Sequence, residues 1–163
     1  MKQVIFLFVF ALSGVMSNVF AQEQKQFTNE QVEEYFMQFL NKKDNALLDL
    51  FLQHQPSLSD CRILFTDDYY RTAFKNANEE FAGMVEYQDI LNDRMSGNVI
   101  RATKFSTNEI ADGNGRMRKV AQYFRPNITL YSIEILKNKK DEHGVRFLFF
   151  TYINNHWVLF PFN

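Results

Sequence analysis

The feature that most constrains this fold is a pair of apolar runs near the end of the chain, joined by the dipeptide Asn154-Asn155. Asparagine tolerates positive φ angles, which a two-residue type I′ turn requires at both central positions. The flanking runs are rich in aromatic and β-branched residues, as strands are. The pattern therefore predicts an antiparallel hairpin over residues 144–162, in which Ile153 pairs with His156.

Both faces of this hairpin are apolar. We expect one face to carry Val145, Phe147, Phe149 and Ile153, and the other to carry Leu148, Phe150 and Tyr152. A strand with one side in water alternates apolar and polar residues, so both faces of these strands need a cover of protein, partner or ligand. The helices predicted from the sequence account for one cover, which makes the second a place to look for function.

The first half of the chain reads as a series of helices. The residues expected to cap four successive helices are Thr28 with Gln31, then Asp44, then Ser57 with Asp60, and finally Thr66 or Asp67. The first helix is expected to end near Lys43, and residues 83–96 favour one more helical segment. These segments share an apolar stripe at helical spacing, which predicts that they pack on a common core.

The second half is expected to be mainly strands. Residues 99–105 and 128–137 have the composition and alternation of strands. Residues 112–115 resemble the tip of a hairpin, whereas the apolar spacing of residues 117–124 favours a short helix, so helix and strand stay open for residues 114–124. The order of the elements, helices followed by strands, predicts an α+β domain. We expect its N-terminal helices to pack on one face of a curved antiparallel sheet that ends in a three-stranded meander. Residues 22–163 are expected to form this single domain.

Residues 1–21 have the pattern of a bacterial signal peptide. Lys2 precedes an apolar run over residues 4–12, and a Val19-Phe20-Ala21 site follows it. A retained membrane anchor is the alternative, and the short apolar run argues against it. We expect cleavage after Ala21, a periplasmic or secreted protein, and no stable membrane insertion afterwards. The formal net charge of -1 offers no basic excess for a nucleic-acid partner.

Cysteine and histidine give no sign of a metal or redox site. Cys61 is the single cysteine and is expected to be a small buried hydrophobe. His54, His143 and His156 stand at no metal-binding spacing, so we expect neither a metal nor another cofactor. His54 is expected near a helix C-terminus, where positive charge is favoured.

Five residues are candidate binding residues, and no catalytic residue is expected. Asp67 and Arg71 lie in a cluster at the expected start of a helix, where the macrodipole alone favours a carboxylate. The other three, Tyr131, His156 and Trp157, lie in the strands near the end of the chain.

Two stretches, residues 125–131 and 150–161, carry a resemblance, which Gly144, residues 56–61 and Phe65 also fit. They are similar to a group of exported bacterial proteins of the Bacteroidetes type, whose chains close on a tyrosine-valine-asparagine-glycine-arginine-tryptophan run followed by phenylalanine-proline. Asn155 and His156 stand here in place of the glycine and arginine. That group has no settled activity, so the resemblance implies no catalytic residue.

A broader resemblance is to the cone-shaped NTF2-like domains, which often end on a strand containing tryptophan, as Trp157 does here. It implies helices over a strongly curved sheet and frequent dimerisation through that sheet. Enzymes of this kind use pocket acids or an Asp-His pair, and no such pair is assigned from the sequence.

Two function classes follow from these observations. The preferred one is a non-catalytic exported module that binds a small apolar ligand or another protein, including a second copy through a sheet face. The alternative is an NTF2-like hydrolase, isomerase or dehydratase with a pocket carboxylate as base. A titratable residue deep in a closed pocket would favour the enzyme. An apolar cavity or open apolar face would favour binding.

Overall fold

The structure, a computed structural model, describes residues 24–110 and 116–160. The predicted leader and the predicted turn at residues 112–115 lie outside these ranges. The described elements, in chain order, are α1 (Asn29–Leu40), α2 (Asp44–Leu52), α3 (Leu58–Leu64), α4 (Tyr70–Glu86), α5 (Gln88–Arg94), β1 (Val99–Ser106), α6 (Thr107–Ile110), α7 (Arg116–Ala121), β2 (Thr129–Leu136), β3 (Val145–Ile153) and β4 (His156–Leu159). The α+β prediction is confirmed, and the segment left open between helix and strand contains the helix α7.

Two of the predicted helix starts are confirmed by reciprocal capping boxes. The Thr28 side chain accepts from the Gln31 N–H, and the Gln31 side chain accepts from the Thr28 N–H. Ser57 and Asp60 make the same exchange at the start of α3. Each box satisfies N–H groups that the first helical turn leaves without partners. The first helix ends at Leu40, slightly before the predicted Lys43.

The other two predicted caps are wrong. The N-cap of α2 is Lys43, and Asp44 is already inside the helix with a φ of 52°, its N–H bonded to the Asn92 side chain. The helix α4 begins at Tyr70 with Tyr69 as N-cap. The backbone oxygen of Thr66 accepts from the N–H groups of Tyr69 and Tyr70, so a backbone turn starts this helix in place of a side-chain cap.

The strands form one four-stranded antiparallel sheet in the order β1-β2-β3-β4. The predicted hairpin is confirmed, including the pairing of Ile153 with His156. Asn154 and Asn155 have φ angles of 49° and 62°, as a type I′ turn requires. The strand β2 lies inside the sheet, and all 8 of its residues are buried.

A bulge in β3 corrects the predicted faces of the hairpin. Tyr131 pairs with Phe150, but Ile133 pairs with Phe147, so β3 has one extra residue between these pairs. Phe149 lies at the bulge with a φ of 64°. Phe147 consequently shares a face with Phe150, and Phe149 lies on the opposite face. The predicted alternation of faces is wrong here because it requires an unbroken strand.

The chain covers both faces of the sheet. The first core combines side chains of α1, α2 and α5 with one face, and its sheet residues are Ile100, Ala102, Tyr131, Ile133, Ile135, Phe150, Trp157 and Leu159. The second core combines α3, the first half of α4 and α6 with the other face, and its sheet residues are Leu130, Phe149, Ile153 and Val158. The expectation of helices on one face alone is therefore wrong, because α3 and α4 supply the second cover.

Side chains close the exposed edge of β1. Glu33 accepts from the Ala102 N–H at 2.9 Å, and Asn29 accepts from the Lys104 N–H at 3.1 Å. Both acceptors lie on α1. Capped edge groups do not template pairing with another strand. Within residues 24–110 and 116–160, no helix has the length and apolar character to cross a membrane.

Candidate functional site

A groove of about 780 Å³ lies between the helices α4 and α5 and the strands β3 and β4. Its apolar lining consists of Gly83, Met84, Tyr87, Ile90, Leu91, Phe147, Leu159 and Phe160. Its polar lining consists of Asn76, Glu79, Glu80, Arg94 and Arg146. This volume lies within the range of sites for small organic ligands, and the lining combines apolar with charged side chains.

The spacing of α4 explains one wall of the groove. Asn76, Glu79, Gly83 and Tyr87 recur at intervals of three or four residues, so they lie along one side of the helix. Gly83 leaves the middle of this wall open, since a Cβ built there meets no atom within 4 Å. The exposed side chains of Tyr87 and Ile90 extend the apolar surface beyond α4.

The charged groups of the groove differ in how far their partners neutralise them. Glu79 faces Lys75 at 3.7 Å, and Arg146 faces Glu134 at 3.3 Å. Arg94 is exposed on the wall, and no hydrogen bond or ion pair joins it to another described residue. A guanidinium on an apolar wall favours a ligand with an apolar body and an anionic or polar head.

A buried carboxylate holds Arg146 at the groove. Glu134 is 6% exposed and lies 3.3 Å from both Arg101 and Arg146, and it accepts from the Gly144 N–H at 3.1 Å. Burial is the largest influence on the pKa of Glu134 and raises it. The bond from Gly144 and the two arginine charges together outweigh burial, so the pKa of Glu134 is lowered below its ordinary value.

The first core encloses a second, much smaller cavity. It has a volume of about 10 Å³ and is lined by apolar side chains, among them Phe36, Phe39 and Phe150. One water molecule needs about 10 to 15 Å³ and several polar partners. Of these two cavities, the groove is therefore the one with room for a small organic ligand.

None of the five predicted binding residues lines the groove. Tyr131 and Trp157 are brought together, with ring centroids 5.4 Å apart, but both belong to the first core. Asp67 pairs with Arg125 at 2.6 Å, and Arg71 donates to the neighbouring Tyr70 hydroxyl at 3.0 Å. The structure thus gives Asp67 and Arg71 separate partners and no common site.

His156, the fifth predicted residue, pairs with Asp60. Its Nε2 lies 3.2 Å from the Asp60 carboxylate, and its Nδ1 lies 3.2 Å from the backbone oxygen of Asn154. Asp60 is fully buried and also accepts from the Asn154 side chain at 2.7 Å and from the Ser57 N–H at 2.8 Å. Since both nitrogens of His156 face acceptors, the arrangement joins the hairpin turn to the start of α3. Neither ring nitrogen is left for a substrate.

The His54 side chain is buried and does not act as a positive charge at the end of a helix. Its Nδ1 lies 2.6 Å from the backbone oxygen of Leu50, and its Nε2 lies 3.0 Å from the Tyr35 hydroxyl. Burial lowers the pKa of His54 and is the largest influence on it. The neutral ring donates to Leu50 and accepts from Tyr35. The expectation of a favourable positive charge at this position is therefore corrected.

Cys61 is a buried core residue, as predicted. It is fully buried, and burial raises the pKa of its thiol to about 12. The thiolate is the reactive form of cysteine, so this environment suppresses nucleophilic chemistry. Among the residues described, no group of three or more histidine, cysteine or acidic side chains could hold a metal ion.

The comparisons add no family assignment. No protein-family model, no curated protein and no solved structure matches this chain. The groove is not apparent in the sequence, because its walls come from four separate elements. The one local signal was Gly83 within an otherwise regular helical pattern, since a glycine in a helix often has a packing or functional reason.

Proposed function

We propose that this protein is an exported, non-catalytic module that binds a small ligand with an apolar body in the groove between α4, α5, β3 and β4. The observation that supports this most strongly is the groove volume of about 780 Å³, with a wall that combines apolar side chains with two guanidinium groups. Both sheet faces are packed against helices, so we place the proposed ligand in the groove and not on an open sheet face.

The polar groups of the groove favour a ligand with a polar or anionic head. Arg94 and Arg146 line the groove together with apolar residues that include Ile90 and Phe147. Burial of the apolar body contributes roughly 25 cal/mol per Å² of apolar surface before the cost of association, and pairing of the head with a guanidinium adds to it.

The groove gives the enzyme alternative less support than it gives binding. A pocket base needs a carboxylate or imidazole directed at the substrate. The carboxylates that line the groove are Glu79, which is exposed and pairs with Lys75, and Glu80, which is half-buried, so neither lies deep in a closed pocket. Asp60 and His156 form an Asp-His pair outside the groove, and both ring nitrogens of His156 face acceptors. The binding module is therefore the proposal that we put to experiment.

Gly83 allows a direct test of ligand binding. A tryptophan there enters open space on the groove wall, because a Cβ at Gly83 meets no atom within 4 Å. Anilinonaphthalene sulfonate, an apolar anion, serves as the probe in a fluorescence titration. We expect Gly83→Trp to weaken its binding by about tenfold or more. The matched control is Gly83→Ala, which leaves the groove nearly unfilled and should bind like the native chain.

Equal probe affinity in native, Gly83→Ala and Gly83→Trp proteins would refute ligand binding in this groove. Thermal unfolding of each variant shows that the fold is retained. Both substitutions remove a helix-interior glycine, so neither is expected to lower stability.

Export is tested separately by sequencing the N-terminus of the protein recovered from its own host. Cleavage after Ala21 predicts a mature chain that begins at Gln22. A chain that still begins at Met1 would contradict export by signal-peptide cleavage.

A further inference from the structure

Residues 24–27 lie against the sheet, in a binding position that we call the seat. Within this segment, Gln24 makes the most specific contacts. The Gln24 carboxamide donates to the backbone oxygen of Thr129 at 2.8 Å and accepts from the Thr129 N–H at 2.8 Å. The same nitrogen donates to the Thr151 hydroxyl at 2.5 Å. The carboxamide therefore bonds to Thr129 as a neighbouring strand would.

The register of the sheet explains why this position is open to Gln24. The last paired residues of β2 and β3 at this end are Tyr131 and Phe150, so Thr129 lies beyond the pairing. Thr129 and Thr151 are both buried. The Thr129 backbone oxygen also accepts from the Thr151 hydroxyl at 2.8 Å, so it is the buried Thr129 N–H that depends on the Gln24 side chain for an acceptor.

Phe27 makes the second set of contacts. Its N–H donates to the Tyr131 hydroxyl at 2.8 Å, and that hydroxyl donates to the Phe27 backbone oxygen at 3.1 Å. The Phe27 ring packs against Tyr152 and Trp157, with centroid distances of 5.0 and 5.1 Å. The Lys25 ammonium lies 4.9 Å from the centre of the Phe27 ring.

These contacts recognise a glutamine side chain, an aromatic side chain three residues later, and the backbone of that aromatic residue. We infer that this seat is a recognition site for an extended peptide of the type Gln-x-x-Phe, and that the chain's own residues 24–27 occupy it. Paired backbone bonds combined with a side-chain pocket are a common mode of peptide recognition. The segment precedes α1, so it detaches without breaking a helix.

The attached segment competes strongly with any peptide in solution. A tethered ligand acts at an effective concentration of about millimolar, so the native chain should bind a free peptide only weakly. The test therefore weakens the binding of the chain's own residues 24–27 and leaves the residues of the seat unchanged. The full-length double variant Gln24→Ala, Phe27→Ala serves this purpose.

The probe is a fluorescently labelled synthetic peptide with the sequence of residues 22–29, and anisotropy measures its binding. We expect the double variant to bind this peptide about tenfold or more tightly than the native chain does. Matched control peptides carry alanine in place of Gln24 or Phe27 and should each bind about tenfold more weakly. Failure of the double variant to bind the peptide, or equal binding of the control peptides, would overturn the inference.

A second measurement does not depend on the double variant being folded. In the native chain the Phe27 N–H donates to the Tyr131 hydroxyl, so its hydrogen exchange should be slow. Tyr131→Phe removes that acceptor and should speed the exchange by about tenfold. Equal exchange in the two proteins would show that residues 24–27 do not occupy the seat, which also overturns the inference.

Discussion

Replacing Asp60 with alanine is expected to destabilise the protein by about 3 kcal/mol. The carboxylate is fully buried and accepts hydrogen bonds from Ser57, Asn154 and His156. Ser57 precedes α3, whereas the other two donors lie at the turn of the β3–β4 hairpin. One side chain thus links the start of a helix to a hairpin formed much later in the chain.

The magnitude follows from three contributions. Loss of the Ser57–Asp60 capping box costs about 1 kcal/mol. The bond of 2.7 Å from Asn154 to a buried charged acceptor contributes about 1.5 kcal/mol. The His156 side chain is 43% exposed, so water screens its pairing with Asp60, and we assign that pairing about 0.5 kcal/mol.

Equilibrium unfolding in urea measures this loss through the fluorescence of Trp157, the single tryptophan of the chain. The matched control is Asp67→Ala, because the Asp67 side chain pairs with Arg125 but is 84% exposed. That control should change the free energy of unfolding by less than about 0.5 kcal/mol. A loss below about 1 kcal/mol for Asp60→Ala, or equal losses for both variants, would refute the reasoning.

Three further predictions concern acid, thiol chemistry and glycine. Burial lowers the pKa of His54 below 6.5, so the unfolded chain binds this proton at higher pH, and stability should fall as the pH drops through about 6.5. Because the pKa of Glu134 is also lowered, the free energy of unfolding should fall further below about pH 4.5. Urea unfolding of His54→Gln at a series of pH values should show only this second decrease. The Cys61 thiol, with a pKa of about 12, should react with a disulfide reagent only as fast as the chain unfolds, and rapid labelling of the native protein would contradict this. Gly144→Ala should destabilise by more than about 2 kcal/mol, because its Cβ would lie 2.0 Å from a backbone oxygen. Gly83→Ala should stabilise the protein by about 1 kcal/mol. A lower unfolding temperature for Gly83→Ala than for Gly144→Ala would disprove both statements.

The sequence predicted elements whose causes are local. The Thr28–Gln31 box and the Asn154–Asn155 turn depend on residues close together in the chain, and both are confirmed. The Thr66 cap failed because the backbone oxygen of Thr66 forms the turn before α4, while its buried side-chain oxygen has no hydrogen-bond partner among residues 24–110 and 116–160. Local pattern alone does not distinguish these two ways of starting a helix.

Features built from distant residues were not predictable in this way. The extra residue in β3 places Phe149 on the face opposite Phe147, and the sequence around the bulge contains no glycine to mark it. Asp60 and His156 are 96 positions apart, so no motif spacing connects them. The groove joins two helices to two strands, and its shape depends on how these elements pack.

Native mass spectrometry of the protein purified from its own host tests the central claim, ligand binding in the groove, most directly. The native chain and Gly83→Ala are predicted to retain a small molecule that is lost under denaturing conditions. Gly83→Trp, which fills the open space at the groove wall, is predicted to lack it. Equal retention by Gly83→Trp, or bare chains in all three samples, would contradict the claim.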